Sequence, residues 1–182
     1  MLAISDEGLV RKALANNKQA WLKLVQRYER LVYNYALRMV SHPEDARDLM
    51  QDVFISVFRN LGSWRGEASF KNWLMTIAHR RCIEHYRRRR DWLVDADDEQ
   101  LDAVATDAAS PEHQYQQNQR GRQLLAAMQK LPEEQRVVVE MKFFQQLKLD
   151  EIGQRLQVPT NTVKSRLYSA VNVLKQYLGG GL

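Results

Sequence analysis

Apolar residues recur at spacings of three and four along most of this chain, which predicts a succession of amphipathic helices. Asp6 to Ala15 predicts a short first helix, and Lys18 to Val40 a long, aromatic-rich second one. His42-Pro43 breaks that run, and Pro43 suits the first turn of a third helix extending to about Leu61. Gly62 and Gly66 bracket a loop carrying Trp64 and Arg65. A fourth helix starts at Ser69 and ends in Arg87-Arg88-Arg89-Arg90.

The pattern then stops. Between Asp91 and Glu112 every charged residue is acidic, small residues fill the gaps, and Ser110-Pro111 closes the stretch. Too little apolar surface is present there to offset the entropy of folding, so a solvated tether is expected. Helical spacing resumes over about Gln116 to Lys130, Glu133 to Gln145, Leu149 to Leu156 and Thr160 to Leu178. The expected fold class is all-α: two small helical domains, residues 1–91 and 115–182, joined by an acidic linker over 92–114.

Composition sharpens this picture. A hydrophobic content of 45% supplies real cores, and Gly and Pro number only 8 and 4 in 182 residues, in keeping with helices. The net charge of +5 favours an anionic partner, although its distribution is more informative than its size. The single cysteine, Cys82, excludes an internal disulfide framework and suits a reducing compartment. The N-terminus lacks a basic-then-apolar signal pattern, and no apolar run is long enough to span a bilayer, so a cytoplasmic location is expected.

Two helices carry opposite charge on their polar faces. On the third, Leu49, Met50, Val53, Phe54, Val57, Phe58 and Leu61 share one broad face, while Asp45, Asp48 and Asp52 lie together on the other with Gln51 and Ile55 beside them. An acidic helix face is usually only a solvated surface; an isoleucine among the acids favours docking of a basic partner instead. On the fourth, Phe70, Trp73, Leu74, Ile77, Ala78 and Tyr86 form the expected core stripe. Asn72, Thr76, His79, Arg80, Ile83, Arg87 and Arg90 line the opposite side. A polar-to-basic stripe beside loop aromatics suits single-stranded DNA, in which phosphates meet arginine and unstacked bases meet aromatic or amide groups. Core packing is the alternative for Trp64 and Phe70, and the preferred one for Trp73. His79, Cys82 and His85 have no fourth ligand nearby, and no metal site or cofactor is expected.

The last two helices are the most specific element. Glu151, Ile152 and Leu156 belong to the first of the pair, Gln157-Val158-Pro159 forms the turn, and Val163, Leu167, Ala170, Leu174 and Leu178 bury the second. Asn161, Thr162, Ser165, Tyr168, Ser169 and Asn172 are left outward, with Lys164 and Arg166 on the flanks. This is a helix-turn-helix whose second helix opens with hydroxyls and amides able to read base edges, flanked by cations for phosphates.

In this order the blocks resemble a bacterial sigma factor of the extracytoplasmic-function (ECF) type, over nearly the whole chain apart from the linker. Pro43-Glu44-Asp45-Ala46-Arg47-Asp48-Leu49-Met50-Gln51-Asp52-Val53-Phe54 is similar to the helix that docks on the β′ clamp helices of RNA polymerase. Trp64-Arg65-Gly66-Glu67-Ala68-Ser69-Phe70-Lys71-Asn72-Trp73-Leu74 through Ile77-Ala78 resembles the segment that opens and reads the minus-ten promoter element. Leu131-Pro132 through Thr162-Val163-Lys164-Ser165-Arg166-Leu167 resembles the reader of the minus-thirty-five element.

The resemblance implies core polymerase (β′ clamp helices and β subunit), promoter DNA and an anti-sigma factor, often membrane-anchored, as partners, with no small-molecule substrate. It implies polymerase contacts from Asp45, Asp48, Gln51, Asp52 and Ile55. Minus-ten contacts are implied for Trp64, Arg65, Phe70, Lys71, Asn72, Thr76, His79, Arg80, Ile83 and Arg87, and minus-thirty-five contacts for Thr160, Asn161, Thr162, Lys164, Ser165, Arg166, Tyr168 and Ser169. Arg80 stands where the family often has asparagine, Ser169 and Val171 where Arg-Ala-Arg is common, and Gln146-Leu147-Lys148 where Gly-Leu-Ser is usual. A duplex-binding repressor or activator is the competing reading, but it needs neither the acidic face nor the loop aromatics. An enzyme is disfavoured by the lack of any nucleophile–base pairing or phosphate-cradling glycine loop.

Overall fold

The computed structural model describes residues 4–40, 42–95 and 112–179. Eight α-helices occur among the described residues: α1 (Asp6–Leu14), α2 (Lys18–Val40), α3 (Pro43–Asn60), α4 (Phe70–Asp95), α5 (Glu112–Gln129), α6 (Glu133–Val139), α7 (Leu149–Leu156) and α8 (Thr160–Leu178), with no strand. Packing groups α1, α2 up to Leu37, α3 and α4 into one compact unit, and α5 to α8 into a second. Helix α4 continues through Asp95 and α5 begins at Glu112, so helix enters both ends of the expected tether; most of that tether, residues 96–111, lies outside the described residues.

The first unit is started by local caps. Ser5 Oγ accepts the Gly8 N–H (3.2 Å) at the head of α1, and Asn17 Oδ1 accepts the Ala20 N–H (3.0 Å) at the head of α2. Asp6 then ties α1 to α2 by accepting from both Arg27 and Tyr28. Burial and the adjacent carboxylate hold the Tyr28 hydroxyl well above the ordinary phenol range, so it remains a donor at any physiological pH. Leu9, Leu24, Val32, Tyr35, Leu49, Val53, Leu74, Met75 and Ala78 fill the core.

In the second unit the Leu131-Pro132-Glu133-Glu134-Gln135-Arg136 block has a clear physical role. Leu131 is buried, Pro132 precedes the first turn of α6, and Arg136 reaches back to the end of α5. Its Nε donates to the Met128 carbonyl (3.0 Å) and its Nη2 to that of Leu131 (3.0 Å). A buried cation thus satisfies carbonyls that a helix C-terminus leaves unpaired. Ala127, Met128, Leu131, Val139, Ala170 and Leu174 form a core cluster between α5, α6 and α8.

The expected helix from Glu133 to Gln145 is α-helical only to Val139 and continues as a π-helical turn over Glu140–Phe144. The chain then turns at Gln146, whose φ is 58°, the left-handed region that favours glycine. Glu151 accepts the Lys148 N–H (2.7 Å), forming one half of a capping box at α7. Lysine has no oxygen to supply the other half. Gln146→Gly and Lys148→Ser are therefore each expected to stabilise this unit by about 1 kcal/mol. The check is a urea midpoint that rises without a change in slope.

Candidate functional site

Three faces with different chemistry are exposed, two on the first unit and one on the second. On α3, Pro43 lies in the first turn with Glu44 and Asp45, where carboxylates suit the positive end of the helix dipole. Ala46, Leu49, Val53, Ser56 and Val57 are buried. Asp48, Gln51, Asp52 and Ile55 face solvent. Asp45 is half-buried, and its Oδ2 lies 3.3 Å from Arg89 Nη1 of α4.

Beside this face runs a groove of about 880 Å³ between α1, the start of α2 and α3. Trp21, Val25, Met50, Phe54, Ile55 and Phe58 provide its apolar lining, and Gln51 and Ile55 belong to both groove and acidic face. Phe58 meets Trp21 edge-on at 5.0 Å between centroids yet stays 58% exposed, and Ile55 is 49% exposed. Phe58 is a correction to the sequence pattern, which placed it on the core face. The apolar arc of α3 is wider than the surface its neighbours cover, and Phe58 falls on the uncovered edge.

The second face lies on α4 and the loop before it. Trp64 Nε1 donates to the Ala68 carbonyl (3.0 Å), and Gly66 takes φ 75°, so the loop closes on itself. The Trp64 ring stands edge-on to Phe70 at 5.5 Å, and Phe70 also meets Tyr28 and Trp73. Ser69 Oγ accepts the Asn72 N–H (3.2 Å) and caps α4. Arg65, Lys71, Asn72, Arg80, Ile83 and Arg87 are exposed, while Trp64 and Thr76 are half-buried.

Phe70 and His79 depart from the expected exposed stripe. Phe70 is 2% exposed and His79 7%. The aromatic cluster takes Phe70 as its centre, so its ring has no face open to a nucleic acid. His79 lies next to Ala78 and one turn from Met75 and Cys82, all buried, on the packed side of the helix.

The third face is the start of α8. Ile152 and Val163 are fully buried where α7 and α8 cross. The turn is tight: Gln157 has φ 56°, the Val158 N–H bonds the Gly153 carbonyl (3.0 Å), and a Cβ on Gly153 would stand 2.9 Å from the Val158 oxygen. Only glycine fits there unstrained. Asn161, Lys164, Ser165, Tyr168 and Ser169 are exposed, Tyr168 to 74%. Thr162 is half-buried.

Two residues expected at this DNA face are occupied instead. The half-buried Thr160 donates its hydroxyl to Asp150 (2.8 Å), and Arg166 pairs with Glu134 of α6 (2.6 Å). Both contacts tie helices of the unit together and leave these side chains half-buried.

Residues 24–91 match the Sigma-70 region 2 family, and residues 121–173 match Sigma-70 region 4. The RNA polymerase sigma factor YlaC of Bacillus subtilis is 30% identical over 153 residues, covering 84% of this chain and 88% of that one. This chain belongs to the ECF-type sigma factors. The RNA polymerase sigma-H factor of Pseudomonas aeruginosa is 29% identical over 180 residues, covering 95% of this chain and 93% of that one. Among solved structures, the sigma factor RpoE of Bartonella quintana, in complex with the anti-sigma factor NepR, shares the fold with a TM-score of 0.69. It is 21% identical, covering 86% of this chain and 94% of that one.

As a sigma factor the chain directs promoter-specific transcription initiation by core RNA polymerase. The family explains why one small protein carries an acidic face, a basic stripe and a helix-turn-helix together. No described helix is long and apolar enough to cross a membrane, and no cluster of three or more metal-binding side chains occurs among the described residues. Sequence periodicity missed Trp21 and Phe58 as candidate surface residues. A usable signal was present for Phe58: at about 100° per residue it falls at the far edge of the apolar arc of α3, roughly opposite the buried Leu49.

Proposed function

We propose that this sigma factor grips core polymerase, at its β′ clamp helices, with the α3 face Asp48, Gln51, Asp52 and Ile55, extended by the groove residues Trp21, Phe54 and Phe58. Asp45 contributes at the margin of that face. A further contact from the chain to the β subunit is part of the same reading. Arg65, Lys71, Asn72, Thr76, Arg80, Ile83 and Arg87 face the minus-ten strand, with Trp64 and Phe70 shaping the loop beneath it. Asn161, Thr162, Lys164, Ser165, Tyr168 and Ser169 face the minus-thirty-five duplex. The functional division is residues 1–91 for docking and melting, 92–114 as tether and 115–182 for upstream recognition. The protein supplies no chemistry of its own and works in the cytoplasm. The Bartonella relative was solved with an anti-sigma factor, and a partner of that class is proposed here as the regulator.

The observation that carries the docking role is the exposure of Ile55 and Phe58 beside Asp48 and Asp52, which form no ion pair among the described residues. A solvated face gains nothing from large exposed apolar side chains, whereas an interface core is built from them. Purified chain mixed with core polymerase should co-elute with it and support run-off transcription from a cognate promoter. Failure of the intact, folded chain to bind core would defeat this function. Phe58→Ala is expected to weaken core binding by about ten-fold or more, with little change in folding stability because the ring is more than half exposed. Equal affinity of variant and parent would remove the groove from the interface.

A further inference from the structure

The first unit must do two things with adjacent helices: meet a protein through α3 and an opening DNA strand through α4. The buried residues of these two helices are mostly apolar, among them Leu49, Val53, Val57, Ala78 and Cys82. Interdigitated apolar packing sets how close two helices lie and limits their rotation, and a hydrogen bond between them adds a specific angular constraint. Arg81 makes a directional link. Its Nη2 donates to Ser56 Oγ of α3 (3.0 Å), and its Nη1 donates to Glu84 Oε2 on its own helix (2.7 Å). Ser56 is 5% exposed, and its carbonyl is held in turn by Asn60 Nδ2 (2.8 Å). A planar guanidinium bonded on two sides fixes orientation as well as distance.

The neighbours of this link are informative. Ser56 adjoins Ile55 and lies one turn from Asp52, both on the docking face. Arg81 adjoins Arg80 and lies two positions before Ile83, both exposed on the DNA-facing side. Another tie between these helices, Asp45–Arg89, is longer at 3.3 Å and largely solvated, so it constrains less. We propose that Arg81 is a positioning residue for promoter opening: its bond to Ser56 sets the rotation of α4 on α3, so that core polymerase, by holding α3, aims Arg80 and Ile83 at the strand. Side chains that must meet an unstacked base tolerate only about 0.5 Å and 10–20° of error. The assignment rests on the proposed role of α4 at the minus-ten strand.

The test uses full-length Arg81→Ala, Ser56→Ala, the double variant and Arg81→Lys with core polymerase. Opening is read by permanganate reactivity on a duplex promoter and on the same promoter with a pre-opened, non-complementary bubble; core affinity is measured alongside. Each alanine variant should lower opening on the duplex about ten-fold, the factor that 1.4 kcal/mol makes. The double variant should be no worse than either single one, because both remove the same link. Arg81→Lys should recover part of the loss, core affinity should not change, and the pre-opened template should restore most of the signal.

Equal losses on both templates would mean a general folding defect and overturn the assignment. So would multiplying losses in the double variant. A smaller salt dependence of promoter binding in Arg81→Ala would show a direct phosphate contact and overturn it as well. If the parent chain opens no promoter, the functional reading beneath it fails first, and that result is distinguishable because it needs no variant.

Discussion

Replacing Asp48 and Asp52 together by lysine is expected to abolish binding to core polymerase while the chain keeps its helicity. Both carboxylates are exposed on α3, one helical turn apart, and neither forms an ion pair among the described residues. The two changes shift the face from two negative charges to two positive ones. Against a basic partner this removes attraction and adds repulsion, and close interfacial charge pairs couple by about 1.5–7 kcal/mol. A loss of at least about 100-fold in affinity, or roughly 2.7 kcal/mol, is therefore expected.

Folding should survive, because lysine is a good helix former and no buried contact is touched. Asp45 is left out of this design deliberately: Arg89 lies beside it, and a lysine there would oppose like charges within the unit. Competition binding against labelled parent protein gives the affinity, and circular dichroism the helicity. The defect should shrink as salt rises, since exposed charges are screened over about 8 Å at physiological ionic strength. Parent-like affinity in the folded double variant would remove the acidic face from polymerase docking.

Some features were readable directly from residue order, for reasons the structure makes plain. Helices α2, α7 and α8 run over Lys18–Val40, Leu149–Leu156 and Thr160–Leu178, as the apolar spacing and the flanking Pro43 and Pro159 predict. Strong periodicity bounded by a breaker leaves little choice of boundary. Exposure of individual side chains was harder to read, because it depends on which neighbour covers which arc. Phe58 has the spacing of a core residue, but Trp21 of α2 covers only part of its ring. His79 has the polarity of a surface residue, yet imidazole packs well on an apolar face when its position demands it.

Long-range pairing was invisible in the sequence. Nothing local shows that Arg166 belongs to Glu134, 32 positions away, or that Thr160 answers Asp150. The π-helical turn at Glu140–Phe144 likewise has no local signature. The departure at Gln146-Leu147-Lys148 is legible in one sense: the backbone keeps a left-handed turn and half of a capping box with residues poorly suited to both.

The pairing of Arg166 separates the expected effects of variants on the recognition helix. Lys164 is exposed and unpaired among the described residues, so Lys164→Ala should weaken binding on all promoters alike. The slope of log affinity against log salt should fall by about 0.9, the contribution of one phosphate contact on duplex DNA. Arg166→Ala should instead leave that slope unchanged and cost less than about 1 kcal/mol of folding stability, as befits an ion pair whose glutamate is 68% exposed. Ser165→Ala and Asn161→Ala remove exposed groups capable of reading base edges, and each should change preference at one position of the upstream element by about 1–3 kcal/mol. Tyr168, at 74% exposure, has room to lay its ring on a thymine methyl, so Tyr168→Ala should relax preference at a thymine. Selection from a promoter library randomised over the upstream element, repeated at two salt concentrations, reads all of these at once. Recovery of the parent motif at parent affinity by Lys164→Ala, Ser165→Ala and Asn161→Ala would mean that the start of α8 does not touch DNA.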